Sequence, residues 1–142
     1  MRFKSLIAVS LALVMALTLA TPVLADTARG KLVPDASITD GAGSYVLKTN
    51  DYNNVMITVS ARKLTPNAYY RVGWAQYEDG VLDSYIYQTV QANSRGSLKH
   101  SFLNGHVYSN SENWTFAAFV DSDYWVEAPW DLSGPQVALS FQ

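Results

Sequence analysis

From about residue 44 onward, apolar and polar side chains alternate with period two, and no stretch there sustains the 3.6-residue period of an amphipathic helix. Val55, Ile57, Val59 and Ala61 fall on one face of a predicted strand, with Met56, Thr58 and Ser60 on the other. After the turn chemistry of Leu64-Thr65-Pro66-Asn67, Tyr70, Val72 and Trp74 alternate with Tyr69, Arg71, Gly73 and Ala75. Glu78-Asp79-Gly80 predicts a hairpin, because Asp-Gly readily accepts the positive φ angles of a primed turn, and the strand Leu82 to Val90 follows it. Asn93-Ser94-Arg95-Gly96 breaks the chain again. Leu98 to Leu103 then meets Asn104-Gly105, a second hairpin dipeptide, and returns through His106-Val107-Tyr108. Trp114, Phe116, Ala118 and Val120 form one face of a further strand, and Val137, Leu139 and Phe141 form one face of the last. With Tyr45 to Lys48, the pattern yields about seven or eight short antiparallel strands, the rhythm of a β-sandwich or a small β-barrel.

The first 25 residues break this pattern. Arg2 and Lys4 precede an apolar run from Leu6 to Ala20, and the segment closes on Val23-Leu24-Ala25, with small residues where signal peptidase reads them. The run is shorter than the roughly 20 apolar residues a membrane-spanning helix needs, and Pro22 interrupts its continuation. Residues 1–25 are therefore expected to be a cleaved signal peptide, leaving a secreted, extracellular chain with no membrane span. Residues 26–43, rich in Asp, Gly, Ser and Thr with an apolar patch at Leu32-Val33, are expected to form an N-terminal arm or an edge strand. Residues 44–142 are expected to form the β domain.

Composition narrows the function classes. The 142 residues make one domain's length, with a hydrophobic fraction of 49% and an aromatic fraction of 13%, enough for a packed core. Ten Lys and Arg against twelve Asp and Glu leave a net charge of -2, with no overall basic excess to hold nucleic acid. Without Arg2 and Lys4 the balance is 8 basic to 12 acidic, or -4. The absence of cysteine excludes disulfides, thiol nucleophiles, Cys-zinc sites and a lipoprotein anchor.

The stretch Leu64-Thr65-Pro66-Asn67-Ala68-Tyr69-Tyr70-Arg71-Val72 resembles the L-x-P-x-x-x-Y-x-V signature of fibronectin type III and related immunoglobulin-like domains, including secreted bacterial β-sandwich modules. The resemblance implies an immunoglobulin-like sandwich in which Tyr70 is a tyrosine corner and Pro66 shapes the turn before it. It departs from that family in the length of chain after Tyr70, where a fibronectin module has one or two strands left. The family's strand order therefore does not carry over, and its fold hosts many unrelated functions.

The densest chemistry lies in Asp121 to Asp131, where four carboxylates and three large aromatics occupy eleven residues. Tyr124, Trp125 and Trp130 offer flat faces for stacking on sugars or peptide side chains, while Glu127 offers hydrogen-bond acceptors. In a competing arrangement Asp121, Asp123 and Asp131 supply oxygen ligands to calcium, the one candidate ion or cofactor. In the third, the tryptophans plug the fold and the acids solvate the loop. A two-residue turn at Asn104-Gly105 would put His100 and His106 on opposite faces, against a shared metal. Asn113-Trp114-Thr115 matches a glycosylation acceptor pattern.

No Gly-x-Ser-x-Gly elbow, His-Glu-x-x-His helix or phosphate-cradling glycine loop occurs. The expected function is thus a secreted, non-enzymatic binding or cell-surface interaction module that presents loop aromatics to an extracellular glycan or protein. The alternatives are a structural subunit of a filament or matrix, self-associating by strand addition, and a small secreted hydrolase using a pair such as Glu127 and Asp83.

Overall fold

The computed structural model describes residues 27–35, 40–50, 54–104, 114–122 and 129–139, and every regular element among them is a β-strand. In chain order the strands are β1 Thr27–Pro34, β2 Ala42–Thr49, β3 Val55–Arg62, β4 Tyr69–Glu78, β5 Val81–Gln91, β6 Leu98–Asn104, β7 Trp114–Asp121 and β8 Leu132–Ser133. All ladders are antiparallel and join in the order β5-β4-β7-β8-β1-β2-β3-β6. The end strands approach each other, and His100 Nε2 on β6 donates to Gln88 Oε1 on β5 at 2.7 Å across the seam. The protein is therefore all-β, a single nearly closed, barrel-like sheet that fits the small-barrel alternative. No helix among the described residues is long and apolar enough to cross a membrane.

β1 makes this closure. Thr27 to Leu32 pair with β2, whereas Val33 and Pro34 pair with β8. A strand that changes partner part-way turns a corner between two halves of a sheet. Pro34, which has no N–H to give a ladder, sits at the strand's last position, where that loss is tolerated. The segment expected as an arm or edge strand is thus built into the sheet, and Leu32 is buried.

The predicted alternation places the core. Val55, Ile57 and Val59 of β3 meet Tyr70, Val72 and Trp74 of β4 and Phe116, Ala118 and Val120 of β7 in one buried cluster. Trp74 stacks on Phe102 of β6 with ring centroids 5.5 Å apart, linking strands from the two ends of the sheet order through the interior. β5 lies so close over β4 that a Cβ on residue 73 would overlap the Ile86 carbonyl oxygen, which requires Gly73 there. The β4–β5 hairpin turns at Asp79 and Gly80, with φ of 51° and 78°, the two positive values of a type I′ turn. A register shift between Gln76 and Tyr77 follows the turn into the ladder.

Two expectations at the chain's end are revised. Leu132–Ser133 forms an unanticipated short strand against Phe119 and Val120. Of the expected last strand, Val137 bridges Phe116 through two N–H···O bonds of 2.8 Å and Leu139 is buried, while Phe141 lies outside the described residues. Gly134 and Pro135 lie between these segments, and a proline cannot continue a ladder on its N–H side. The proposed signal peptide, the Asn104-Gly105 turn with His106, and Asn113 fall wholly or partly outside the described residues.

Candidate functional site

Pairing of Val120 with Leu132 brings Asp121 and Asp131 to the neck of the loop that joins β7 to β8. Both are buried, and the Ser122 N–H donates to Asp131 Oδ2 at 3.0 Å. Asp121 also stands opposite Arg71 of β4, a favourable cross-strand placement of opposite charges. Two members of the suggested calcium set therefore share one neck, while Asp123 lies outside the described residues. Among the described residues no three His, Cys, Asp or Glu side chains group closely enough to hold a metal.

Trp130 is 4% exposed, so it is not a free stacking surface. Its ring lies on Phe119 at 4.5 Å between centroids and 16° between planes. Together with Ala75 and Ala117 these rings form a second apolar cluster, with Tyr77 and Leu82 packed against it. Ala75, Ala117 and Phe119 point away from the barrel interior, which explains why both faces of β7 are buried and why its residues 116–120 are all apolar. Trp130 is thus a plug on the outside of the sheet, and its buried Nε1–H has no hydrogen-bond partner. Beside it lies a cavity of about 460 Å³ bordered by Asp35, Tyr77, Trp130 and Gln136. Burial raises the pKa of the Tyr77 hydroxyl above its ordinary value. Tyr124, Trp125 and Glu127, the other ligand candidates of this loop, lie outside the described residues.

Tyr70 is buried, and its hydroxyl accepts the Thr65 N–H at 2.8 Å, tying the strand to the turn five residues before it. In that turn Pro66 precedes Asn67, whose φ of 59° and the 3.3 Å Ala68 N–H to Thr65 carbonyl bond are those of a type II turn. Both residues therefore hold the turn that leads into β4.

Among the described residues the exposed aromatics lie elsewhere, on the outer face of the β4–β5 hairpin. Tyr69, Tyr85 and Tyr87 are 63%, 37% and 41% exposed. Tyr85 and Tyr87 are two residues apart on β5 and share a face, with ring centroids 6.4 Å apart. Tyr87 pairs with Gly73, which leaves room for its ring, and the Arg71 guanidinium lies 5.9 Å from that ring's centroid. Thr89 and Gln91 continue the face, and Gln91 Nε2 donates to the Asn67 carbonyl at 2.9 Å. Sequence reading passed over this platform because each tyrosine taken singly is an ordinary strand residue. The i, i+2 spacing of Tyr85 and Tyr87 was its only local sign.

Fold and surface together define a small antiparallel β-barrel with an aromatic outer face on its end hairpin. Neither a protein-family model, nor a curated protein, nor a solved structure matches the chain.

Proposed function

We propose that the protein is an exported, non-enzymatic binding module whose contact surface is the tyrosine face of the β4–β5 hairpin and whose ligand is a glycan. The observation that carries this reading is the exposure of Tyr69, Tyr85 and Tyr87 on one sheet face, around Arg71. Exposed aromatic rings give a large contact area with little side-chain entropy to lose, and their faces suit the apolar faces of sugar rings. Thr89 and Gln91 beside them offer hydroxyl and amide groups for sugar hydroxyls. Export follows from the signal-like segment 1–25, removed after Ala25. Tyr85→Ala/Tyr87→Ala should abolish retention on an array of uncharged glycans while leaving the melting temperature nearly unchanged. Retention equal to that of the unsubstituted protein would overturn the reading.

A structural role by strand addition has one observation in its favour, the position of β5 and β6 as the end strands of the sheet. Thr27 to Pro34, most of the described part of the N-terminal segment 26–43, is already paired within its own chain. Light scattering that shows a monomer at every concentration would remove this second role.

A further inference from the structure

The other half of the sheet carries a charge pattern that the net charge conceals. On the outer face of β1, β2, β3 and β6 lie Arg29, Lys31, Lys48, Arg62 and Lys99, all exposed, whereas no Asp or Glu occurs in any of these four strands. Five of the eight basic residues that follow residue 25 thus share one face of an acidic chain. The ladder registers fix their layout. Lys31, Ser44, Ser60 and Lys99 form one row across the four strands, with Arg29, Val46, Thr58 and Ser101 in the next. Arg62 stands one row beyond, opposite Ala42, and Lys48 stands at the other end, opposite Met56. Among the described residues none of the five cations is engaged in an ion pair. The acids nearest these cations in sequence are Asp26, Asp35, Asp40 and Asp51, of which Asp26 and Asp51 lie outside the described residues.

The middle of this face is hydroxylic, and one end of it is recessed. Thr58 Oγ1 and Ser101 Oγ share a 2.8 Å hydrogen bond on the surface. Small residues leave a depression of about 600 Å³ bordered by Lys31, Val33, Ser44, Ser60 and Arg62. Lys31 and Lys99 stand three strand spacings apart, about 14 Å, so the cations flank the hydroxyl row instead of clustering at one point. Unneutralised charge of one sign across a flat face raises the local concentration of polyanions.

We infer that this face docks a linear acidic glycan, its carboxylate groups held by Lys31, Arg62 and Lys99 and its sugar hydroxyls by Ser44, Ser60, Thr58 and Ser101. The hydroxyl row favours a sugar chain over a bilayer. An interfacial membrane surface calls for aromatic anchors, and this face has none among the described residues. A nucleic acid would gain from base stacking on aromatics, which sit on the β4–β5 hairpin instead. The inference does not depend on the tyrosine face, because it uses other strands.

Affinity electrophoresis of the protein through gels containing polygalacturonate tests it. The protein should be retarded, and less so as salt rises. Lys31→Gln/Arg62→Gln should weaken binding about tenfold by removing two charge contacts. Val81→Glu/Ser84→Glu makes the same change in net charge at exposed positions of β5 and should leave binding nearly unaltered. No retardation would overturn the inference, as would equal weakening by the two charge variants. Tighter binding to phosphatidylglycerol-containing vesicles or to duplex DNA than to polygalacturonate would overturn it in favour of those partners.

Discussion

Truncation of Trp130 separates a ring that holds the fold together from one that waits for a ligand. The indole is 4% exposed and covers Phe119, Ala75 and Ala117 on the outside of β4 and β7. Trp130→Ala should therefore destabilise the protein by about 3–5 kcal/mol, the range for removing a large buried aromatic. At an urea m-value of about 2 kcal/mol/M, the unfolding midpoint should fall by about 1.5–2.5 M. A domain of this size has about 6–15 kcal/mol of stability, so the variant keeps its fold but loses a large share of its margin. Trp130→Phe sharpens the argument. The Nε1–H has no partner, so deleting it removes a buried, unsatisfied donor while most of the ring contact with Phe119 remains. Its net cost should fall about 1 kcal/mol or more below that of Trp130→Ala, because the phenyl ring leaves a smaller cavity than the alanine methyl. A Trp130→Ala midpoint within experimental error of the unsubstituted protein would refute the plug. A Trp130→Phe loss as large as that of Trp130→Ala would show that the N–H is engaged after all.

Tyr70→Phe should cost about 1 kcal/mol, because the Thr65 N–H loses its acceptor, whereas Tyr69→Phe at an exposed ring should cost almost nothing; equal effects in paired urea titrations would undo the corner assignment. Burial raises the pKa of the Tyr45 hydroxyl, so the folded state holds its proton at pH values where the unfolded chain releases it. Stability from this group is present below the unfolded value of 10.0 and declines as pH rises from there through the raised folded value. Tyr45→Phe should accordingly flatten the alkaline limb of a stability-against-pH curve, and an unchanged limb would exclude Tyr45 as its source.

Local pattern alone determined the secondary structure. Period-two alternation at Val55 to Ala61 and at Trp114 to Val120 marked strands and their core faces, and Asp79-Gly80 marked a type I′ turn, because these properties depend on neighbours one to four residues away. Tyr70 was legible for the same reason, its hydroxyl reaching only to Thr65. Strand order was not legible, since pairing β1 with β8 joins residues about a hundred positions apart. Phe116 to Val120 is an unbroken apolar run, but only the return of the chain at Trp130 shows what covers Ala117 and Phe119 on the outer face. The candidate surfaces depend on distance in space in the same way. A net charge of -2 sums over the chain and discards position, so it could not reveal that Arg29, Lys31, Lys48, Arg62 and Lys99 share one face. Ladder register assembled that face, and register is settled by the packing of whole strands against one another, which no single stretch of sequence contains.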